Sequence, residues 1–190
     1  MTPTPRIVVR SVRGNDFDDI RESYFRLYDE RVTNPSIGIT LFAERPSMSD
    51  ETNWFAATFR RVLAGDEIFQ VAEVDDRVVG TCSIHRAGLG PTSEMSHVGE
   101  LGILVRQEYR GKGVGSALLA SALDEARSRF ELVYLSVFSV NVGAQRLYRR
   151  FGFTPCGHFP RLVKRGNEYL DEDRMVLDFS KNPRGTGANR

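Results

Sequence analysis

The 190-residue chain is poor in the features that would assign it to several large classes of protein. Two cysteines cannot make a disulfide framework, and with only three scattered histidines they do not suggest a zinc site. Both thiols, Cys82 and Cys156, fall in strand-like surroundings and are expected to be buried and reduced; a disulfide between them is unneeded. Twenty-six basic against 25 acidic residues leave a net charge of +1, with no basic stripe, which excludes a general nucleic-acid footprint. No apolar run approaches the length of a membrane helix, and Met-Thr-Pro-Thr-Pro carries no secretory core. A cytoplasmic domain without membrane or nucleic-acid partners and without a resident metal is expected. Residues 6–179 form one domain on this reading, and 180–190, rich in Gly, Asn and Arg, a disordered tail.

Against that background one stretch stands out, Val105-Arg-Gln-Glu-Tyr-Arg-Gly-Lys-Gly-Val-Gly-Ser116. A short apolar run ends, an arginine and three alternate glycines follow, and then a long amphipathic segment begins. The first amides of a helix have no internal partners and carry the positive end of its dipole, so the pattern describes an anion site. A nucleoside-triphosphatase loop is excluded because Lys112 is followed by Gly113 rather than Ser or Thr. A dinucleotide loop is excluded because the third glycine, Gly115, comes one residue early. The next strand also ends Phe138-Ser-Val without the carboxylate that would hold a ribose. What remains is R-x-x-G-x-G, carried by Arg110, Gly113 and Gly115.

The rest of the chain supplies further signals. Arg6 to Arg13 reads as an opening strand, followed by a helix capped by Asn15 or Asp16 with Phe17, Ile20, Tyr24, Leu27 and Tyr28 on one face. A loop from Asn34 to Pro46 precedes a second helix capped by Ser49 or Asp50. Two strands, 67–74 and 77–85, meet at Asp75-Asp76. After the polar loop Ala87 to Ser96 comes the strand that delivers the glycine turn. Val114, Leu118, Leu119, Ala122, Leu123 and Ala126 then form a core-facing stripe. Glu131 to Val140 is apolar on both faces, as a central strand should be. Asn141 follows as an N-cap, with Ala144, Leu147, Tyr148 and Phe151 on one helical face and Gly152 at its end.

The string Leu135, Val137, Asn141, Ala144, Leu147, Tyr148, Gly152, Phe153, together with the R-x-x-G-x-G loop, resembles the two signatures of the GNAT superfamily of N-acetyltransferases. The closing hairpin around Lys164 to Tyr169 is similar to that of its phosphinothricin- and polyamine-type branch. The resemblance runs from about Val98 to Phe179. It implies an α/β (α+β) domain: a mixed, mostly antiparallel seven-stranded sheet in the order β-α-α-β-β-β-α-β-α-β-β, splayed between strands 4 and 5 and flanked by about four helices. It implies acetyl-CoA as co-substrate, held by Ile103, Leu104, Val105, Arg110, Gly111, Lys112, Gly113, Val114, Gly115, Ser116, Asn141 and Tyr148. Gly99 or Gly102 would form the bulge that opens the splay, and the backbone of Leu104 or Val105 would polarise the thioester oxygen. Tyr148 would protonate the departing thiolate, or else serve its helix only as a packing residue. Asn141 would cap its helix and, on the fuller reading, touch the pantetheine too. Glu100 would be the general base, or a solvated strand carboxylate beside an arginine. His97 is a weaker second base, His85 a strand-end residue and His158 part of the closing strand. The acceptor implied is a small primary amine, amino-acid-like or polyamine-like. A protein N-terminus or lysine, or a non-catalytic acyl-CoA sensor, are the alternatives, and the resemblance leaves a homodimer open. The acceptor pocket would take its walls from the loop after the first helix (Tyr28, Phe42, Glu44, Arg45) and from the hairpin (Arg161, Lys164, Arg165, Glu168, Tyr169, Asp171).

Overall fold

Alternating apolar runs and well-placed turn residues organise the chain around one sheet. A computed structural model describes residues 6–34, 38–88 and 90–181. The strands are β1 (Val8–Ser11), β2 (Glu67–Val74), β3 (Arg77–Arg86), β4 (Val98–Val105), β5 (Leu132–Phe138), β6 (Thr154–Arg165) and β7 (Glu168–Asp178). The helices are α1 (Phe17–Thr33), α2 (Met48–Leu63), α3 (Val114–Ala126) and α4 (Val142–Arg150). This is the expected element order. The tail expected to be disordered falls, from residue 182 onward, outside the described residues.

The seven strands lie side by side in the order β1-β2-β3-β4-β5-β7-β6. Every neighbouring pair is antiparallel except β4 and β5. That parallel pair is joined only from Val98–Leu132 to Glu100–Tyr134, after which the strands part. The expected bulge is not the cause. The β3–β4 ladder runs in unbroken register from Gly80–Val105 to Arg86–Gly99. Gly99 serves clearance instead: a Cβ there would stand 2.7 Å from Ile84 Cγ2 and 3.2 Å from the Phe130 ring. With the outer half of β4 unpaired on one side, its backbone groups face an opening.

Local chemistry explains the turns that set this frame. Asp75 and Asp76 both take positive φ (50° and 59°), the left-handed pair that a two-residue hairpin requires and that Asp tolerates. The cap of α2 is Ser47, not Ser49 or Asp50: Ser47 Oγ accepts from Asp50 N at 3.2 Å while the Asp50 carboxylate accepts from Ser47 N at 3.1 Å. This reciprocal box uses the S-x-x-D spacing two residues upstream of the expected start. Asp16 is the N-cap of α1, as expected, but its carboxylate is turned to Arg13 N and to the Arg10 guanidinium. Gly152, at φ 93°, ends α4.

Two apolar layers hold the sheet. On one face α3 and α4 cover Ile84, Leu101, Val133, Leu135 and Met175, with Leu118 and Leu119 at the centre and fully buried. On the other, α1 and α2 bring Phe17, Ile20, Phe55 and Phe59 over Phe69, Val71 and Val78. Cys82 is buried as expected, but Cys156 is exposed, because β6 is an edge strand with little packed on it. Both thiols are free.

Candidate active site

A cleft of about 710 Å³ opens where β4 and β5 part. Ile103, Leu104 and Val105 form one wall, and Asn141, Ala144, Leu147 and Tyr148 of the β5–α4 corner form the opposite one. Arg110, Gly111, Gly113, Gly115 and Ser116 close one end; Leu27, Asn34, Gly38 and Ile39 lie along the α1 side.

The glycines divide the work of the loop. Gly111 and Gly113 take φ of 72° and 89°, conformations costly for a residue with a Cβ. They turn the chain so that Gly113 is the N-cap of α3 and the amides of Val114, Gly115 and Ser116 begin the helix without i−4 partners. Gly115 is helical, and its bareness serves packing: a Cβ would sit 3.2 Å from Leu147 Cδ2. Two residues assigned to the cofactor from sequence do not line the cleft. The Val114 side chain is buried in the core, and Lys112 Nζ rests 5.6 Å from the centre of the Tyr109 ring. Arg110 lines the cleft, but its guanidinium is already engaged. Its fork makes a two-pronged ion pair with the buried Glu30 carboxylate of α1, one prong through Nη2 at 2.9 Å, and its Nε donates to Val105 O at 2.9 Å. Glu30 gave no sequence signal, because its partner lies 80 residues away.

Backbone parity decides between Leu104 and Val105. Arg106 N donates to Val79 O of β3, so its neighbour Val105 turns its N–H and C=O the other way, toward the cleft. Tyr148 is 6 % exposed, with its ring edge-on to Phe153 at 6.0 Å. Burial pushes its phenol far above the usual tyrosine value, so the hydroxyl stays protonated. The Asn141 side chain accepts from Ala144 N at 3.1 Å, confirming the cap. Its amide nitrogen faces Gly38 closely enough that a Cβ there would meet it at 3.1 Å.

Glu100 lies deeper on β4, on the face that α1 and α2 cover farther along the sheet. Tyr134 donates its hydroxyl to Glu100 Oε2 at 2.6 Å, and His85 Nε2 lies 3.5 Å from the same oxygen. His85 is therefore more than a strand-end residue: it stands in register opposite Glu100. The His85 contact and the Tyr134 hydrogen bond hold Glu100 below the ordinary carboxylate value against the opposing effect of burial. The same contact raises His85, and burial with the Glu100 charge pushes Tyr134 up to about 12. Behind His85 the Glu67 carboxylate, 4 % exposed, accepts from Arg61 Nε at 2.8 Å, and burial raises it. His97 lies before β4, where its carbonyl accepts from Glu131 N. His158 Nδ1 pairs with Asp173 at 2.7 Å on the β6–β7 hairpin. Among the residues expected to wall the acceptor pocket, Arg45 pairs with Asp29 at 2.7 Å, Arg161 stacks on Tyr169 at 4.1 Å, and Arg165 donates to Ile39 O. Among the described residues no group of three or more His, Cys, Asp or Glu could hold a metal ion, and no helix is long and apolar enough to cross a membrane.

The same architecture and sequence pattern recur in known proteins. The model of the Acetyltransferase (GNAT) family matches residues 21–153. The L-amino acid N-acetyltransferase of Escherichia coli is 31 % identical over 108 residues, which cover 56 % of this chain and 65 % of that protein. The spermidine N(1)-acetyltransferase of the same organism is 30 % identical over 132 residues, covering 65 % and 71 %. The chain spans less than two thirds of the length of the first curated relatives it matches. In fold it is similar to a GNAT superfamily phosphinothricin acetyltransferase from Sinorhizobium meliloti, solved in complex with AcCoA. The TM-score is 0.75 at 21 % identity, with 92 % of this chain and 88 % of that one covered.

Proposed function

Because the chain belongs to the acetyltransferase (GNAT) family, we propose that it is an acetyl-CoA-dependent N-acetyltransferase acting on the primary amine of a small molecule, by direct attack on the thioester. One observation carries the reading: the unpartnered amides at the start of α3, the outward amide of Val105 and the buried phenol of Tyr148 all open on one cleft. The diphosphate of coenzyme A is assigned to the α3 amides and the charge at that helix end. The pantetheine arm is assigned to the free edge of β4, with Asn141 across from it. The thioester oxygen accepts from Val105 N–H, where a fixed dipole gains strength as negative charge develops.

The amine must be neutral to attack. For a polyamine nitrogen of pKa ~10.4 this costs roughly 4.6 kcal/mol at pH 7, and for an α-amine of pKa near 7.8 about 1.1 kcal/mol. Glu100 and His85 are assigned as one proton-accepting pair, the anion stabilising the imidazolium that forms. Glu100 lies five residues before Val105, about 17 Å along the strand, so the proton reaches it through water rather than by contact. As the adduct collapses, the protonated Tyr148 phenol donates a hydrogen bond to the departing sulfur. Because a thiol of pKa near 8.5 is the stronger acid of the two, the thiolate's final proton is drawn through Tyr148 from solvent rather than stripped from the phenol.

Release of free thiol from acetyl-CoA against a panel of amines, amino acids and peptides tests the reading. Turnover with at least one small amine is expected, and Tyr148→Phe should slow transfer about 100-fold while acetyl-CoA affinity changes little. Tight cofactor binding without turnover on any member would leave an acyl-CoA sensor. Equal losses of rate and affinity would make Tyr148 a packing residue.

A further inference from the structure

The sheet face beside Glu100 carries a cation and an anion, Arg174 and Glu172, the first of which also helps to lower Glu100. Arg174 of β7 lies opposite Ser136 of β5. Its guanidinium is stacked 5.0 Å from the Phe159 ring and 5.9 Å from the Tyr134 ring. Among the described residues no hydrogen bond or ion pair reaches it, although Arg10, Arg26, Arg77 and Arg110 all have carboxylate partners. Arg174 is exposed, and contact with two rings holds the guanidinium near them while its donors stay open to solvent, where a carboxylate can be taken by two parallel bonds.

Two residues along the same strand, and by alternation on the same face, stands Glu172. It pairs in register with Phe138, the last residue of β5, two residues before Val140 on the cleft wall. Glu172 is 8 % exposed, and among the described residues no hydrogen bond or ion pair reaches its carboxylate. Its oxygens are not among the buried atoms left without a partner, so they still reach solvent and are open to an approaching cation. The two residues are about 7 Å apart along the β7 backbone, with Glu172 nearer the thioester end. Across β5, the same face of β4 carries little side-chain bulk. Ser83 pairs with Gly102, and a Cβ on Gly102 would meet only Ser83 Oγ, at 3.7 Å, within 4 Å.

We propose that Arg174 and Glu172 together select a zwitterionic acceptor, an amino acid whose carboxylate is held by Arg174 and whose ammonium is drawn to Glu172 at the mouth of the splay. This rests on the acetyltransferase reading and narrows it, because Arg174 repels the second cation of a polyamine. The ammonium loses its proton on passing from Glu172 toward the thioester. Amino acids of different length place the nitrogen differently against a fixed carboxylate, so chain length as well as charge is selected.

The test compares neutral amino acids with their carboxamides, and with diamines, in wild type, Arg174→Ala, Arg174→Lys and Glu172→Gln. Two readouts are used: thiol release from acetyl-CoA, and calorimetric binding of each amine to protein saturated with coenzyme A. Wild type should prefer acid over amide by about 10- to 100-fold, the worth of a charge-assisted fork. Arg174→Ala should bring that ratio near one, with Arg174→Lys between the two. Glu172→Gln should weaken binding of the amino acid while keeping the acid-over-amide preference. An acid-over-amide ratio unchanged by Arg174→Ala overturns the assignment, whether turnover is seen or not. Binding that depends on Arg174 without any thiol release would overturn the transferase reading and leave the zwitterion site standing. Neither binding nor release with any amine overturns both.

Discussion

At the scale of single residues, the site depends on where protons rest. His85 faces Glu100, and Glu67, Arg61 and Arg174 surround the pair with charge of both signs. Because Glu100 is lowered and His85 raised, below the His85 value the pair is an imidazolium beside a carboxylate, and it accepts a proton only after His85 has lost one. The acid limb of kcat/KM should therefore lie above pH 6.5, the ordinary histidine value. Glu100→Gln removes the anion that raises His85, so the limb should move to lower pH while the plateau rate falls. A pH–rate profile of the two proteins measures this directly. A limb that stays in place would remove His85 from the proton path. The folding linkage has the same origin: the raised His85 stabilises the protein below its unfolded pKa, and that contribution is lost as pH rises through the folded value.

At the scale of elements, α1 and the glycine loop are tied together before any ligand arrives. The Glu30 carboxylate occupies the Arg110 fork, and its side chain is only 6 % exposed. A diphosphate that uses this fork must compete with an anion already in place; otherwise it relies on the α3 amides alone. Glu30→Gln separates these cases. Removing the charge should tighten acetyl-CoA binding several-fold by freeing Arg110, with a salt dependence steeper than in wild type. It should also lower the stability of the unliganded protein by about 1–2 kcal/mol, less than for a fully buried pair because Arg110 is 39 % exposed. Unchanged affinity would mean that the diphosphate is held by backbone alone and that Arg110 is a strut between α1 and β4. Titration calorimetry at two ionic strengths, with a melting curve, distinguishes the outcomes.

At the scale of the whole molecule, what could be read from sequence was what is local in the chain. The glycine loop, the Asn141 cap, the Asp75-Asp76 turn and the α3 stripe each carry their signal within a dozen residues, so the element order and the glycine-loop end of the cleft followed. Glu30 against Arg110, His85 against Glu100 and Arg174 against the Tyr134 ring are set by register between distant strands and helices, and no periodicity announces them. The expected bulge at Gly99 or Gly102 misread a steric requirement as a hydrogen-bonding irregularity. That requirement has a global consequence, because Gly99 lies in the three-residue stretch where β4 and β5 are still paired. One half of the sheet, β1 to β4, is joined there to the other half, β5, β7 and β6, and beyond it α3 and its core hold the halves at the separation the cleft needs. A Cβ at Gly99 would press on Ile84 and Phe130, both in that core. Gly99→Ala should therefore cost about 1–3 kcal/mol. For a domain of this size that is a fall of roughly 2–4 °C in Tm per kcal/mol. Strain that prises the halves apart should also weaken acetyl-CoA binding, although Gly99 lines no part of the cleft. Saturating cofactor, which binds only the folded state, should restore about 2.7 kcal/mol at 100 times its Kd in wild type and less at the same concentration in the variant. Thermal melts across an acetyl-CoA titration would show it; a lowered Tm with identical cofactor-induced gains in both proteins would mean that the junction supports stability alone and does not set the width of the cleft.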